Sequence, residues 1–214
     1  EYTVVTEVLK KFVYQVSDGA KEIALLVWLW LPLGFFFALK PSIVPVVASL
    51  TSYPERIKHA WIAIETLLRQ SVTPEELVLV LSTEEFPNHK IPRRILHQTK
   101  RGLAILWVER NGRSYDKLIP VRKAFPGSTI VTFDDDKYFP RKLLSNLCDG
   151  AQQHPEMVVG SRGWALKRFT ESGEYHYGEG WVRATSGENG NHLLTPGGNG
   201  CLYPYESLSP IVDD

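Results

Sequence analysis

The sequence predicts an α/β protein built on a mostly parallel sheet with helices on both faces. Three observations carry this. Short apolar, β-branched runs alternate with amphipathic stretches of helical length from residue 43 to residue 160. One run, Leu77 to Leu81, is continuously apolar, as a strand covered on both faces is. Another, Ser128 to Phe133, leaves a Pro126–Gly127 turn and ends in three carboxylates, Asp134, Asp135 and Asp136. Strands separated by helices need crossovers, and crossovers make neighbouring strands parallel.

The 214 residues are enough for one sizeable core and an appendage. Lys and Arg number 24 and so do Asp and Glu, so net charge is near zero. No basic face marks a dedicated nucleic-acid binder, and nucleic acid is not an expected partner. Cys148 and Cys201 lie far apart and form neither a metal-like spacing nor a disulfide framework. The histidines show no ligand spacing.

Residues 1–42 are expected to form an N-terminal appendage, amphipathic and then apolar. Val5, Val8, Leu9, Phe12, Val13 and Val16 repeat at helical spacing. Ile23 to Leu39 carries no charge and is slightly short of the roughly 20 residues that span a bilayer. Trp28 and Trp30 suit a membrane interface, while Pro32 and Gly34 interrupt a helix. Lys21 and Lys40 flank the run equally and set no orientation. The run stays open to two readings, membrane association or a buried core helix or hairpin. The expected location is the cytoplasm, at a membrane on the first reading.

Residues 43–214 read as the main domain. Ile43 to Leu50 is a strand candidate that ends at Thr51-Ser52-Tyr53-Pro54. A helix is expected from Glu55 to Gln70, because Ile57, Trp61, Ile64, Leu67 and Leu68 share one face. After the apolar strand come a short helix over Pro92 to Thr99 and a third strand, Leu103 to Val108. A helix over Tyr115 to Phe125 follows from Leu118, Ile119 and Val121, with Pro120 against it. The acidic strand is fourth. Pro140 opens a helix running to Gln153, and Met157 to Gly160 is a fifth strand. Residues 170–200 are rich in Gly, Glu, His and aromatics, and read as a long loop region with short strands. Three glycines around Asn199 permit tight turns and close approach to a ligand.

Adjacent carboxylates repel unless something positive neutralises them. A hard divalent cation does so, and in open α/β sheets ligands gather at the carboxyl edge. Alternation along a strand would point Asp134 and Asp136 the same way. The competing reading is a solvated acidic loop.

Four segments read in order: Ser49-Leu50-Thr51-Ser52-Tyr53-Pro54-Glu55-Arg56-Ile57, Tyr115-Asp116-Lys117-Leu118-Ile119-Pro120, Phe133-Asp134-Asp135-Asp136, and Gly197-Gly198-Asn199-Gly200-Cys201-Leu202-Tyr203-Pro204. Together, over about residues 43–210, they resemble GT-A fold glycosyltransferases of the family-2-like group that builds bacterial surface polysaccharides. That resemblance implies a Rossmann-like GT-A domain, a nucleotide-diphosphate sugar donor, a glycan or lipid-linked acceptor, and Mn²⁺ or Mg²⁺. It implies that Asp134 and Asp136 serve the metal. Thr51, Tyr53, Arg56, Lys117, Asp134 and Asp135 would bind the donor, and Gly198, Asn199 and Gly200 would border the sugar and acceptor. Such enzymes place the acceptor-activating carboxylate beyond the Gly-rich loop. Either Asp213 and Asp214 serve as that catalytic group, or the base lies in sequence downstream. Two other readings stand beside this one. A noncatalytic nucleotide-sugar or glycan binding module would keep the fold without the base. A nucleotidyltransferase would carry a Gly-rich loop after the first strand, where Thr51-Ser52-Tyr53-Pro54 has no glycine.

Overall fold

The computed structural model describes residues 40–166, 181–190 and 193–209. The amphipathic stretch 1–22, the apolar run Ile23 to Leu39 and the pair Asp213 and Asp214 lie outside the described residues. Among the described residues no helix is long and apolar enough to cross a membrane.

The chain opens with β1 (Lys40–Pro41), β2 (Val46–Thr51), α1 (Ile57–Leu68), β3 (Val72–Thr73) and β4 (Glu76–Ser82). Next come α2 (Arg93–Thr99), β5 (Leu103–Val108), a 3-10 turn (Arg113–Tyr115), α3 (Ile119–Ala124), β6 (Thr129–Phe133) and α4 (Leu143–Gln153). Five strands follow: β7 (Val159–Gly160), β8 (Trp164–Ala165), β9 (Val182–Arg183), β10 (Leu193–Leu194) and β11 (Asn199–Tyr203). The main sheet has six strands in the order β5-β4-β2-β6-β11-β7. β5, β4, β2 and β6 are mutually parallel. β11 runs antiparallel to both β6 and β7. The fold is α/β with a mostly parallel sheet covered by helices on both faces.

Strand alternation sorts the core. Val46, Ala48 and Leu50 of β2 face the larger cluster, with Leu77, Leu79, Leu81, Val131 and Phe133 from neighbouring strands. Ile57, Ala60, Ile64 and Leu67 of α1, Ile95 of α2, and Leu144, Leu147 and Cys148 of α4 cover that face. Val47, Val78, Val80 and Ile130 point the other way, onto Val121 of α3. Each leucine-sized side chain buried here contributes about 1.5–3 kcal/mol relative to exposure.

Several expected elements differ: the first strand begins at Val46 rather than Ile43, and α4 begins at Leu143, so Pro140 precedes the helix instead of opening it. The stretch Tyr115 to Phe125 is not one helix: the 3-10 turn precedes it and α3 begins only at Ile119. Pro120 has no N–H to donate, so it fits only in a helix's first turn, and the helix forms around it. The fifth strand shortens to Val159–Gly160 and lies at the sheet's edge against β11. The Gly-rich segment supplies β11 itself, an interior strand that alternation did not predict.

Candidate functional site

The carboxyl ends of the four parallel strands share one edge: Thr51 pairs with Val80, Leu50 with Phe133, and Ser82 with Val108. A cavity of about 440 Å³ opens on that edge. Its wall takes Thr51, Ser52, Tyr53 and Arg56 after β2, Glu85 after β4, and Asn111, Arg113, Ser114 and Lys117 after β5. Asp134 and Asp135 come from the end of β6. This is where parallel sheets with crossover helices leave a crevice.

Several wall residues are fixed locally. The Thr51 hydroxyl donates to the Val80 carbonyl at 3.0 Å, tying the end of β2 to β4. The Tyr53 carbonyl accepts from the N–H groups of Arg56, at 3.0 Å, and Ile57, at 2.9 Å. Those bonds start α1 and hold Arg56 a turn beyond the strand, with its guanidinium 5.7 Å from the Tyr53 ring centroid. Beyond the acidic triplet, α1 and the residues just after it pin the chain again. Thr66 Oγ1 accepts from the Phe139 N–H at 3.2 Å. Gln70 donates to the Pro140 carbonyl at 3.0 Å and accepts from the Leu144 N–H at 2.9 Å.

The three carboxylates have different partners. The strand stops at Phe133, so two-residue alternation does not run through the triplet. Asp134 sits between Lys117 Nζ and Lys137 Nζ, one to each oxygen at 2.6 Å. Burial alone would raise its pKa, but the two ammonium groups outweigh burial and hold it below the usual Asp range. Asp135 is buried, accepts from Ser52 Oγ at 2.5 Å, and lies 3.3 Å from Arg56 Nη2. Burial pushes its carboxyl up despite those partners. Asp136 is half-exposed and pairs with the same Arg56 Nη2. Asp135 and Asp136 thus converge on one cation, while Asp134 turns away to two others.

All six residues expected to bind the donor line this one cavity. Asp136 reaches it through Arg56. The Gly-rich loop is brought to Asp134: the Gly198 carbonyl accepts from the Asp134 N–H at 3.0 Å. A Cβ on Gly198 would stand 1.8 Å from Asp134 Oδ2, so only glycine permits that approach. Thr132 Oγ1 donates to the Gly197 carbonyl at 2.6 Å. A β-bulge falls between Asn199 and Cys201, with Gly200 at φ 94°, a conformation that favours glycine.

Sequence reading missed Ser52, Glu85, Asn111, Arg113 and Lys137. Ser52 lay inside the first resembling segment without a role of its own, and Asn111-Gly112, a turn dipeptide, marks a turn rather than a wall. A larger cavity, about 630 Å³, lies against β7 and the small β10-β8-β9 sheet, with Arg162, Arg183 and Glu188 in its wall. It holds none of the triplet, whereas Asp134 and Asp135 line the smaller one.

Among the described residues no three His, Cys, Asp or Glu side chains are grouped to hold a metal by themselves. A hard cation that shares its shell with substrate phosphates needs only one or two carboxylates. Asp135 and Asp136 fit that requirement in donor chemistry, since both already face one positive group, the Arg56 guanidinium. Asp134 has both oxygens taken by lysines.

No family model matches the chain, and no curated protein matches it. Solved structures with a similar chain trace include a mannosyltransferase from Pyrobaculum calidifontis in complex with GDP-Man and Mn²⁺. It is 20% identical, with a TM-score of 0.41, over 72% of this chain and 46% of that one. This chain therefore spans under half of that protein's length. A 4-diphosphocytidyl-2C-methyl-D-erythritol synthase from Anaerococcus prevotii DSM 20548 is 12% identical, with a TM-score of 0.41, over 76% of this chain and 72% of that one.

Proposed function

We propose that this chain transfers a sugar from a nucleotide-diphosphate donor to a glycan or lipid-linked acceptor, in the manner of the family-2-like glycosyltransferases its segments resemble. The observation that carries the reading is the convergence of Asp135 and Asp136 on one cationic position at the mouth of the 440 Å³ cavity. In this reading residues 43–214 form the donor-binding domain and residues 1–42 an appendage. Tyr53, 40% exposed at the rim, offers a ring face to the base. Arg56 and Lys117 supply positive charge to the diphosphate. Mn²⁺ or Mg²⁺ held by Asp136 with Asp135 would neutralise charge on the departing nucleoside diphosphate. Asp134, locked by Lys117 and Lys137, fixes the Gly198–Gly200 loop where the sugar and acceptor meet.

The test is release of nucleoside diphosphate from a panel of nucleotide sugars with Mn²⁺ and oligosaccharide acceptors. Acceptor-dependent release from one donor supports the reading. One observation favours a second reading, a noncatalytic binding module: every carboxylate of the triplet is committed to a cation, so none stands free as a base. Tight donor binding without turnover across the panel would select it.

A further inference from the structure

Arg113 is the unexplained residue of the cavity wall. Its φ is 57°, a left-handed conformation that residues with a Cβ disfavour and that Asn or Gly adopts more easily. No residue of its 3-10 turn is buried, so the strained backbone returns no packing. It is nevertheless held from several sides. The Arg113 N–H donates to Asn111 Oδ1 at 2.7 Å, and the Gly112 N–H donates to Asp116 Oδ2 at 3.0 Å. The Asp116 N–H closes the turn on the Arg113 carbonyl at 3.2 Å. Asp116 is 6% exposed, and a Cβ on Gly112 would stand 2.4 Å from its Oδ1. A buried carboxylate is thus spent on shaping an exposed turn.

The guanidinium that this turn presents lines the cavity and has no hydrogen-bond or ion-pair partner among the described residues. Arg56 and Lys117, the other cations of the wall, share their charge with carboxylates, whereas Arg113 has no carboxylate at ion-pair distance among the described residues. Glu85, the remaining acid of the wall, accepts from Asn111 Nδ2 at 2.7 Å and feels the Arg113 charge from beyond ion-pair distance. Strain held in place by the surrounding structure marks functional positions, and a planar guanidinium matches two oxygens of one phosphate. We propose that Arg113 forms an anion subsite for a phosphate group of the donor's nucleoside diphosphate, with Asp116 as the residue that positions it. The proposal rests on the donor reading given above.

The test is calorimetric titration of the full chain, in Mn²⁺, with UDP, GDP, CDP and ADP, the matching nucleosides, and inorganic pyrophosphate. Arg113→Asn keeps the turn conformation accessible and removes the charge. It should leave the melting temperature unchanged or higher and weaken the best diphosphate about tenfold or more. Nucleoside affinity should stay within about twofold, and Arg113→Lys should fall between Asn and wild type. Asp116→Ala, which removes the acceptor of the Gly112 N–H, should reproduce the selective loss of diphosphate affinity. Diphosphate binding within about twofold of wild type in Arg113→Asn would overturn the subsite and leave the donor reading standing. Equal losses for diphosphate and nucleoside would also overturn it, since a collapsed cavity does that. Arg113-dependent binding of pyrophosphate, with no diphosphate bound better, keeps the subsite and removes the donor reading. No binding of either class overturns both.

Discussion

Replacing Glu65 with Gln removes one charge from a buried ion cluster of the domain. The carboxylate side chain is 7% exposed and accepts from Arg69 Nε and Arg101 Nη1, each at 2.6 Å, and from Gln98 Nε2 at 3.2 Å. It ties α1 to α2 and to the turn that follows α2. Gln offers one acceptor oxygen and no charge. Breaking a buried pair costs about 3–5 kcal/mol. Arg101 is 46% exposed and recovers water, whereas Arg69 is 19% exposed and recovers less. The discounted loss is about 2–3 kcal/mol. For a domain of this size it lowers the melting temperature by roughly 4–12 °C. The pH dependence gives a second readout. Burial raises the Glu65 pKa, but the Arg101 and Arg69 hydrogen bonds, the Arg101 charge and the Gln98 amide outweigh it and hold the carboxyl below its ordinary 4.5. A depressed folded pKa means stability that is present above the ordinary value and lost as pH falls through the folded one. The stability of the wild type should therefore drop more steeply below about pH 4.5 than that of Glu65→Gln. Urea unfolding followed by tryptophan fluorescence from pH 7 to pH 3 measures both effects. A variant within about 0.5 kcal/mol of wild type at pH 7, with a parallel pH profile, would refute the cluster as drawn.

Two further outcomes are expected. Gly198→Ala should push the Asp134 carboxylate away from its lysines, because the new methyl overlaps it, and should cost about 2–4 kcal/mol in urea unfolding. A fully stable Ala variant would mean the loop does not rest on Asp134. Cys148, whose thiol burial pushes up to about 11, and Cys201, also raised by burial, should stay unlabelled by a disulfide reagent at pH 8 until urea unfolds the chain. Rapid labelling of either in the native protein would contradict the packing of α4 on the sheet or the burial of β11.

The parallel half of the fold was legible because its signals are local. Leu77 to Leu81 and Leu103 to Val108 are short apolar runs with turn residues beside them, and both became strands in or next to the predicted bounds. β11 was not legible, because Asn199-Gly200-Cys201-Leu202-Tyr203 has glycine where a strand pattern needs side chains. The strand is stabilised by pairing with β6, where Cys201 lies opposite Thr132, and with β7, where it lies opposite Gly160, contacts made across 69 and 41 residues of chain. The triplet announced a charged strand end, but not how its charges divide. That depends on Lys117, Lys137 and Arg56 arriving from other segments, and on a strand that ends one residue before the first carboxylate. Arg113 gave no signal, since a left-handed φ on an arginine is imposed by Asp116 and Asn111 rather than by its own preference.

In the function proposed above, the end of β6 binds a nucleoside diphosphate together with a divalent cation. Titration of UDP, GDP, CDP and ADP into the protein with Mn²⁺, with a chelator, and again with Asp136→Asn tests that binding. Mn²⁺ should tighten binding of one diphosphate by about tenfold or more, and Asp136→Asn should return the affinity to its chelator value. Equal affinity with and without Mn²⁺, or an Asp136→Asn protein that still responds fully to the metal, would contradict it.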